Sequence, residues 1–348
     1  MNQSCFILIG PEDRCRLQQI EQGTAPRLDY RLTAAQLDAA ILECAPSPAA
    51  LHGCKIVRLL HSALRNLRVT ARAICKLPER SLLYSTGETW GLPVALLGSR
   101  PGHRSRRYIH VMYVHRIFSP TWLRTLRYLG LWLAVDGWIC VTTHQAKLLQ
   151  TALAPVASPV VVIPQGVDTT FFDPLLATPP GCKPYVLSIG TEMRNYDLLF
   201  ASVLNSDIEV VVKATSAWMR GSRKSQTMPA PPNVKLIAER LSYVELRELY
   251  AGAELVIVPL YDTPQAAGIT TILEAMAMRK CVIATRSAGL PDILVDNVTG
   301  VVTDPTPAAL ASAITALRMN PQRRDALAHA GRQAVLSSAT IEHHAQQV

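Results

Sequence analysis

Residues 254–304, ELVIVPLYDTPQAAGITTILEAMAMRKCVIATRSAGLPDILVDNVTGVVTD, leave few choices of fold. The apolar run from Leu255 to Pro259 predicts a strand, Leu260 to Thr270 a loop, Thr271 to Met278 a helix, and Cys281 to Thr285 a second strand before a turn around Gly289 and Pro291. Two short apolar strands flanking a helix make a βαβ unit. Such units build parallel sheets whose ligands sit at the C-terminal strand ends. Loop 260–270 and the start of the helix are therefore expected beside a binding crevice.

Gly268 lets the backbone approach a ligand closely, and the first N–H groups of the helix, around Ile269, Thr270, Thr271 and Ile272, point toward the same space. With the helix dipole they suit a phosphate or an electron-rich hydroxyl. Glu274, one turn on, is placed to accept two hydrogen bonds from a ribose diol. A plainer role is open to the same residues: Thr271 and Glu274 also fit a capping box that serves the helix alone.

The run AAGITTILEAMAMRKCVIAT, the G-L-P-D turn and V-D-N-V-T-G resemble the donor-site segment of family 4 retaining glycosyltransferases. The resemblance implies a GT-B fold: α/β, with two Rossmann-like doubly wound parallel-sheet domains facing across a cleft. It also implies that the segment holds a nucleotide-sugar and that Glu274 binds the nucleotide ribose. Where the family usually carries a second Glu against the donor sugar, this chain has Ala266.

The 348 residues suit two domains, each able to bury its own core. The expected division is an N-terminal acceptor-side domain over 1–165, a linker over 166–183, a nucleotide-sugar domain over 184–335 and a tail over 336–348. Charge is divided unevenly, with 19 Lys and Arg against 9 Asp and Glu in residues 1–163, and 16 against 17 in the remainder. A basic first half points to an anionic surface or partner on that side. The eight cysteines show no C-x-x-C pair, which fits reduced core residues in a cytoplasmic protein. The start reads as no signal peptide, and the longest apolar run, near 126–141, is broken by Arg127 and Asp136, too early to span a bilayer. No H-E-x-x-H, Walker loop, G-x-G-x-x-G or D-x-D is present, so neither a metal nor another cofactor is expected.

Within the first half, Cys5 to Ile9 predicts a strand, after which Asp13, Arg14 and Arg16 lie in a charged loop at its C-terminal end, pointing toward the cleft on the acceptor side, the plainer alternative being a solvated loop. Residues 56–77 predict an amphipathic helix. Arg58, Arg65, Arg68, Arg72 and Lys76 fall within an arc of about 80°, with Ile56, Leu60, Ala63, Leu64, Leu67, Ala71 and Ile74 opposite. With no carboxylate before Glu79, the basic stripe suits membrane phospholipid or a phosphorylated acceptor, the plain alternative being a solvated face. Glu88 follows the strand 81–84, where an acceptor ligand or general base would stand. His115 follows the strand Tyr108 to Val114 and resembles the family's donor-sugar histidine. Residues 122–133 are apolar almost all round a helix, which means burial or partial insertion in a lipid interface.

In the second half, the strand Tyr185 to Ile189 is followed by G-T-E-M-R-N-Y-D-L-L. By resemblance Arg194 stands where a Lys meets the donor diphosphate, and Thr191 replaces the usual Arg. Lys213, ending the strand 208–212, is the candidate second cation, or else an exposed strand-end lysine. The family's contacts to the nucleotide base fall on Ala238 to Arg240. The basic, proline-bearing stretch 214–232 reads as a loop, and 307–318 and 321–337 as two helices.

The expected activity is transfer of a hexosyl group from a UDP- or GDP-sugar to a glycan or lipid-linked acceptor, with retention and without metal, in cell-envelope or polysaccharide and glycolipid synthesis. No nucleic-acid partner is expected, and the location is cytoplasmic, with peripheral contact at the inner face of an anionic plasma membrane. The alternatives are a catalytically inactive GT-B scaffold, for which Ala266 and Thr191 speak, and a nucleotide-sugar 2-epimerase, which would need strong acids and bases that this half offers sparsely.

Overall fold

A computed structural model of the chain describes residues 4–44, 55–98, 108–116, 120–154, 158–181, 183–214 and 229–348, and side chains from 61 onward in the helix that begins at 55. The chain divides into two units, one of residues 1–17, 30–164 and 345–348, the other of 18–29 and 165–344. Twelve strands and twelve α-helices are formed among the described residues.

The first unit runs β1 (Cys5–Ile9), α1 (Arg14–Glu21), α2 (Asp29–Gln36), β2 (Ala40–Glu43), α3 (Lys55–Ile74), β3 (Ser81–Ser85), α4 (Glu88–Gly98), β4 (Tyr108–Val114), α5 (Pro120–Tyr128), a 3-10 turn (Leu131–Ala134), β5 (Gly137–Cys140), α6 (Thr143–Leu153) and β6 (Val160–Val162). Its six strands are parallel, in the order β2-β1-β3-β4-β5-β6. The connections from β2 to β6 all step the same way across the sheet. Right-handed crossovers therefore lay α3, α4, α5 and α6 on one face, and α3 packs on α4, α4 on the 3-10 turn and α5 on α6.

The second unit contributes β7 (Tyr185–Ile189), α7 (Tyr196–Val203), β8 (Val210–Lys213), β9 (Val234–Leu236), α8 (Tyr243–Gly252), β10 (Ala253–Val258), α9 (Ile269–Ala277), β11 (Cys281–Thr285), β12 (Val301–Thr303), α10 (Pro307–Arg318), α11 (Pro321–Ser338) and α12 (Ile341–Gln347). These strands are also all parallel, ordered β12-β11-β10-β7-β8-β9. From β7 the chain first steps outward through β8 and β9, then returns to lay β10 on the other side of β7. The loops leaving β7 and β10 diverge there, so the crevice of a doubly wound sheet opens at their C-terminal ends. Burial on both faces explains the unbroken apolar strands: Val186, Val210, Val212, Leu255, Ile257 and Ile283 share one core with Leu199, Phe200, Leu310 and Ile314.

Two local expectations need correction. Residues 122–133 are not one helix: Gly130 adopts φ 62°, α5 stops at Tyr128 and a 3-10 turn follows. Leu126 and Leu131 are buried, whereas Tyr128, Leu129 and Leu133 are exposed. On α3 the inward face is Val69, Thr70, Ala73 and Ile74, continued by Leu77 after the helix, so the expected apolar side is turned partly outward and Ala63 and Leu64 are exposed. The stretch 336–348 is helical almost throughout. The side chains of Ile56, Arg58, Leu60 and Trp122 and most of the 214–232 loop lie outside the described residues.

Candidate functional site

The loop after β7 and the loop after β10 are stitched together by the backbone. Asn195 N–H donates to the Pro259 carbonyl at 2.8 Å, and Tyr261 N–H to the Met193 carbonyl at 3.0 Å. This pairing carries Arg194 under the start of α9, which begins two residues earlier than its sequence suggests. Gly268 is its N-cap, with φ 78° and no side-chain cap. A β-carbon at Gly268 would strain this left-handed backbone and lie 2.8 Å from Cγ1 of Val258, so glycine is needed here. The first intrahelical bond is Ile272 N–H to the Gly268 carbonyl, leaving the amides of Ile269, Thr270 and Thr271 without an acceptor in the helix.

Thr271 is therefore not the cap of a capping box. Its hydroxyl accepts from Nη2 of Arg194 at 3.0 Å and lies 3.4 Å from the Ile189 carbonyl. Arg194 is 8% exposed, and gives Nε to the Ile189 carbonyl at 3.1 Å and Nη1 to the Glu192 carbonyl at 2.9 Å. Its other two N–H groups have no partner among the described residues. The guanidinium is thus partly spent on neutral oxygens. Among the described residues no carboxylate forms an ion pair with this guanidinium, and burial lowers its pKa from the ordinary arginine value. Glu192 attracts this charge through space, but no described carboxylate touches it, and a buried charge held only by neutral oxygens is unfavourable. Added to the positive end of α9, it makes a place whose electrostatics are completed by an anion.

Lys213 ends β8 beside Ile189 and is buried, not an exposed strand-end lysine. Its Nζ donates to the Glu239 carbonyl, drawing the 238–240 loop against the sheet edge, and burial lowers its pKa. Arg240 is exposed in that loop. Glu274 is half-buried, and its Oε2 accepts the phenolic O–H of Tyr250 at 2.8 Å. Tyr250 is fully buried. Desolvation, reinforced by the field of Glu274, raises its pKa well above the ordinary tyrosine value and keeps it a donor at neutral pH. Nothing in the sequence around Tyr250 signals this contact. Loop 260–265 is braced too: Thr263 N–H donates to Ser287 Oγ at 3.1 Å, and Ala288 N–H to Asp262 Oδ1 at 2.9 Å.

The first unit groups a separate set at its own C-terminal strand ends. Glu88 opens α4, and its Oε1 accepts the backbone amides of both His115 and Arg116. The His115 ring stands edge-on to Tyr113, with centroids 4.6 Å apart, and Gln145 Nε2 donates to the His115 carbonyl at 3.1 Å. The structure brings Glu88 and His115 together through backbone, so Glu88 shapes the turn that presents the histidine. Gln145, buried on α6, is the supporting residue that sequence reasoning overlooked. Asp13 caps α1, accepting from Cys15 N–H at 3.0 Å, instead of aiming into open space, and Arg14 beside it is exposed. On α3, Arg65 is half-buried while Arg68 and Arg72 are exposed.

Residues 223–334 match the family described as Glycosyl transferases group 1. An alpha-maltose-1-phosphate synthase of Mycobacterium tuberculosis (strain CDC 1551 / Oshkosh) is 33% identical over 118 residues, covering 32% of this chain and 30% of that protein. The alignment thus spans under a third of that curated relative. Among solved structures, sucrose-phosphate synthase from Thermosynechococcus elongatus superposes with TM-score 0.70 at 15% identity, covering 99% and 97% of the two chains. Anabaena Alr3699/HepE, solved in complex with UDP-glucose, gives TM-score 0.68 at 16% identity, covering 99% and 98%. The fold is that of the GT-B glycosyltransferases.

Proposed function

We propose that this chain, a GT-B protein with a group 1 glycosyl transferase segment over residues 223–334, transfers a sugar from a UDP- or GDP-sugar to a membrane-associated or glycan acceptor. The observation that carries this reading is Arg194, a buried guanidinium without a carboxylate partner among the described residues, set against the bare amide end of α9. A sugar-nucleotide diphosphate supplies the missing negative charge. An Anabaena protein of the same fold, solved with UDP-glucose, supports that class of donor.

The chemistry follows from where charge develops. As the anomeric C–O bond breaks, negative charge grows on the leaving diphosphate. Arg194, Lys213 and the amides from Gly268 to Thr271 favour it without a resident metal. Glu274 accepts from the ribose, with its carboxylate fixed by Tyr250. The reaction proceeds with retention, as in family 4, and the leaving phosphate oxygen takes the acceptor proton, so Glu88 and His115 orient substrate. Acceptor recognition and contact with an anionic membrane belong to the basic first unit, in cell-envelope or polysaccharide and glycolipid synthesis.

A second reading, a GT-B subunit that binds a nucleotide-sugar without turning it over, is favoured by Ala266 in place of the family's acidic residue. Incubation with UDP- and GDP-sugars separates the two. Release of nucleoside diphosphate that disappears in Arg194→Ala and Glu274→Ala supports the transferase, and binding without release supports the scaffold.

A further inference from the structure

The helical face of the first unit carries an unusual pairing of properties. Among its described side chains between 61 and 167 there are nine Lys and Arg, with Arg65, Arg68, Arg72, Arg124, Arg127 and Lys147 on the helices, against three acidic residues, Glu79, Glu88 and Asp136. Two of those three are engaged: Glu88 with the amides of His115 and Arg116, and Asp136 with the His110 amide at 2.9 Å. On the same face large apolar side chains stand outward. At the knuckle between α5 and the 3-10 turn, Tyr128 is 91% exposed, Leu129 49% and Leu133 60%. Arg124 and Arg127 flank them, both exposed. Further along the layer Leu96 of α4 is 47% exposed and Leu64 of α3 52%, with Arg68 and Arg72 exposed beside the latter.

An exposed basic stripe alone would suit any polyanion. Exposed leucines and a tyrosine interleaved with arginines suit a lipid surface better. There the apolar groups leave water for the acyl boundary while the guanidinium groups remain at phosphate level. Gly130, in the left-handed conformation, makes the knuckle by breaking the helix, and so turns Leu129 and Leu133 outward while Leu126 and Leu131 anchor the turn in the core. We infer that the α5 knuckle is an insertion element, and that with the α3 face it docks the first unit on an anionic bilayer. This deepens the proposed function, on which it rests for its biological meaning, by naming the surface that meets a lipid-borne acceptor. No described helix is long and apolar enough to cross a membrane, so the contact is with one leaflet.

The test is co-sedimentation with vesicles of phosphatidylcholine alone or with about one third phosphatidylglycerol, comparing the intact chain with Leu129→Gln/Leu133→Gln and with Arg68→Glu/Arg72→Glu. Affinity for UDP is measured on every sample. The expected result is binding to the anionic vesicles only, reduced at least about tenfold by the leucine pair, with UDP affinity unchanged in that variant. The arginine pair should also lose vesicle binding, and added salt should weaken what remains. Equal sedimentation of the intact chain and the leucine variant overturns insertion at the knuckle. Binding to DNA or heparin but not to vesicles assigns the face to a soluble polyanion instead. In either case UDP binding that persists leaves the donor site standing, whereas its loss in the intact chain strikes the proposed function itself.

Discussion

The phenol of Tyr250, fully buried, donates a 2.8 Å hydrogen bond to Oε2 of Glu274, at the start of the second turn of α9. The Phe172 ring stands edge-on to that tyrosine with centroids 6.1 Å apart, so the donor has little freedom to swing away. A carboxylate held in this way reaches a ribose diol with its orientation already set, which lowers the ordering cost of binding.

Tyr250→Phe removes one hydrogen bond to a charged group, about 1.5–3 kcal/mol. The expected outcome is a rise in donor KM of about tenfold with a smaller change in kcat. Preference for UDP over 2′-deoxy-UDP should shrink in the same variant. Steady-state kinetics with a nucleoside-diphosphate release assay checks both, and an unchanged preference would show that Tyr250 serves packing alone.

Gly268→Ala forces a β-carbon onto a φ of 78° and to 2.8 Å from Val258 Cγ1. Backbone strain of this kind costs about 1–3 kcal/mol. The expected result in urea unfolding is a lower midpoint, together with weaker UDP binding because the first amides of α9 shift.

Arg27 grips Asp168 through Nη2 at 2.7 Å and Nε at 3.1 Å, and reaches Glu342 at 2.7 Å. Burial pushes the Asp168 carboxyl up, but hydrogen bonds from Arg27 and Thr170 more than offset it, and its pKa lies below the ordinary aspartate value. The contribution of the network is therefore complete above about pH 4 and is lost as pH falls through the lower folded value. Asp168→Asn should cost about 1–3 kcal/mol at neutral pH, discounted from the fully buried case because the Arg27 side chain is 35% exposed. Thermal unfolding from pH 7 to pH 3 should show the difference between variant and wild type narrowing below about pH 4.

Much of the frame was legible because buried parallel strands read as continuous apolar runs. Cys5–Ile9, Tyr108–Val114, Tyr185–Ile189 and Cys281–Thr285 stand where their sequences put them. The start of α9 was not, since a left-handed glycine cap leaves no Ser or Asp to mark it. The elements α1 and α2 were missed because their short charged stretches have no strong apolar stripe. On α3, apolar residues on two sides left the packed face ambiguous until Val69 and Ala73 met the core. The Tyr250–Glu274 contact and the burial of Arg194 are products of strand order, which brings β7, α8 and α9 together and leaves no trace in local spacing.

Titration calorimetry of uridine, UMP and UDP into the wild type and Arg194→Met measures the role of the buried guanidinium most directly. The account predicts that UDP binds the wild type at least about tenfold more tightly than uridine, and that the variant loses most of that advantage while its affinity for uridine is retained, since a charge-assisted contact contributes about 1.5–3 kcal/mol. Equal affinity for uridine and UDP in the wild type, or an undiminished UDP advantage in Arg194→Met, would contradict it.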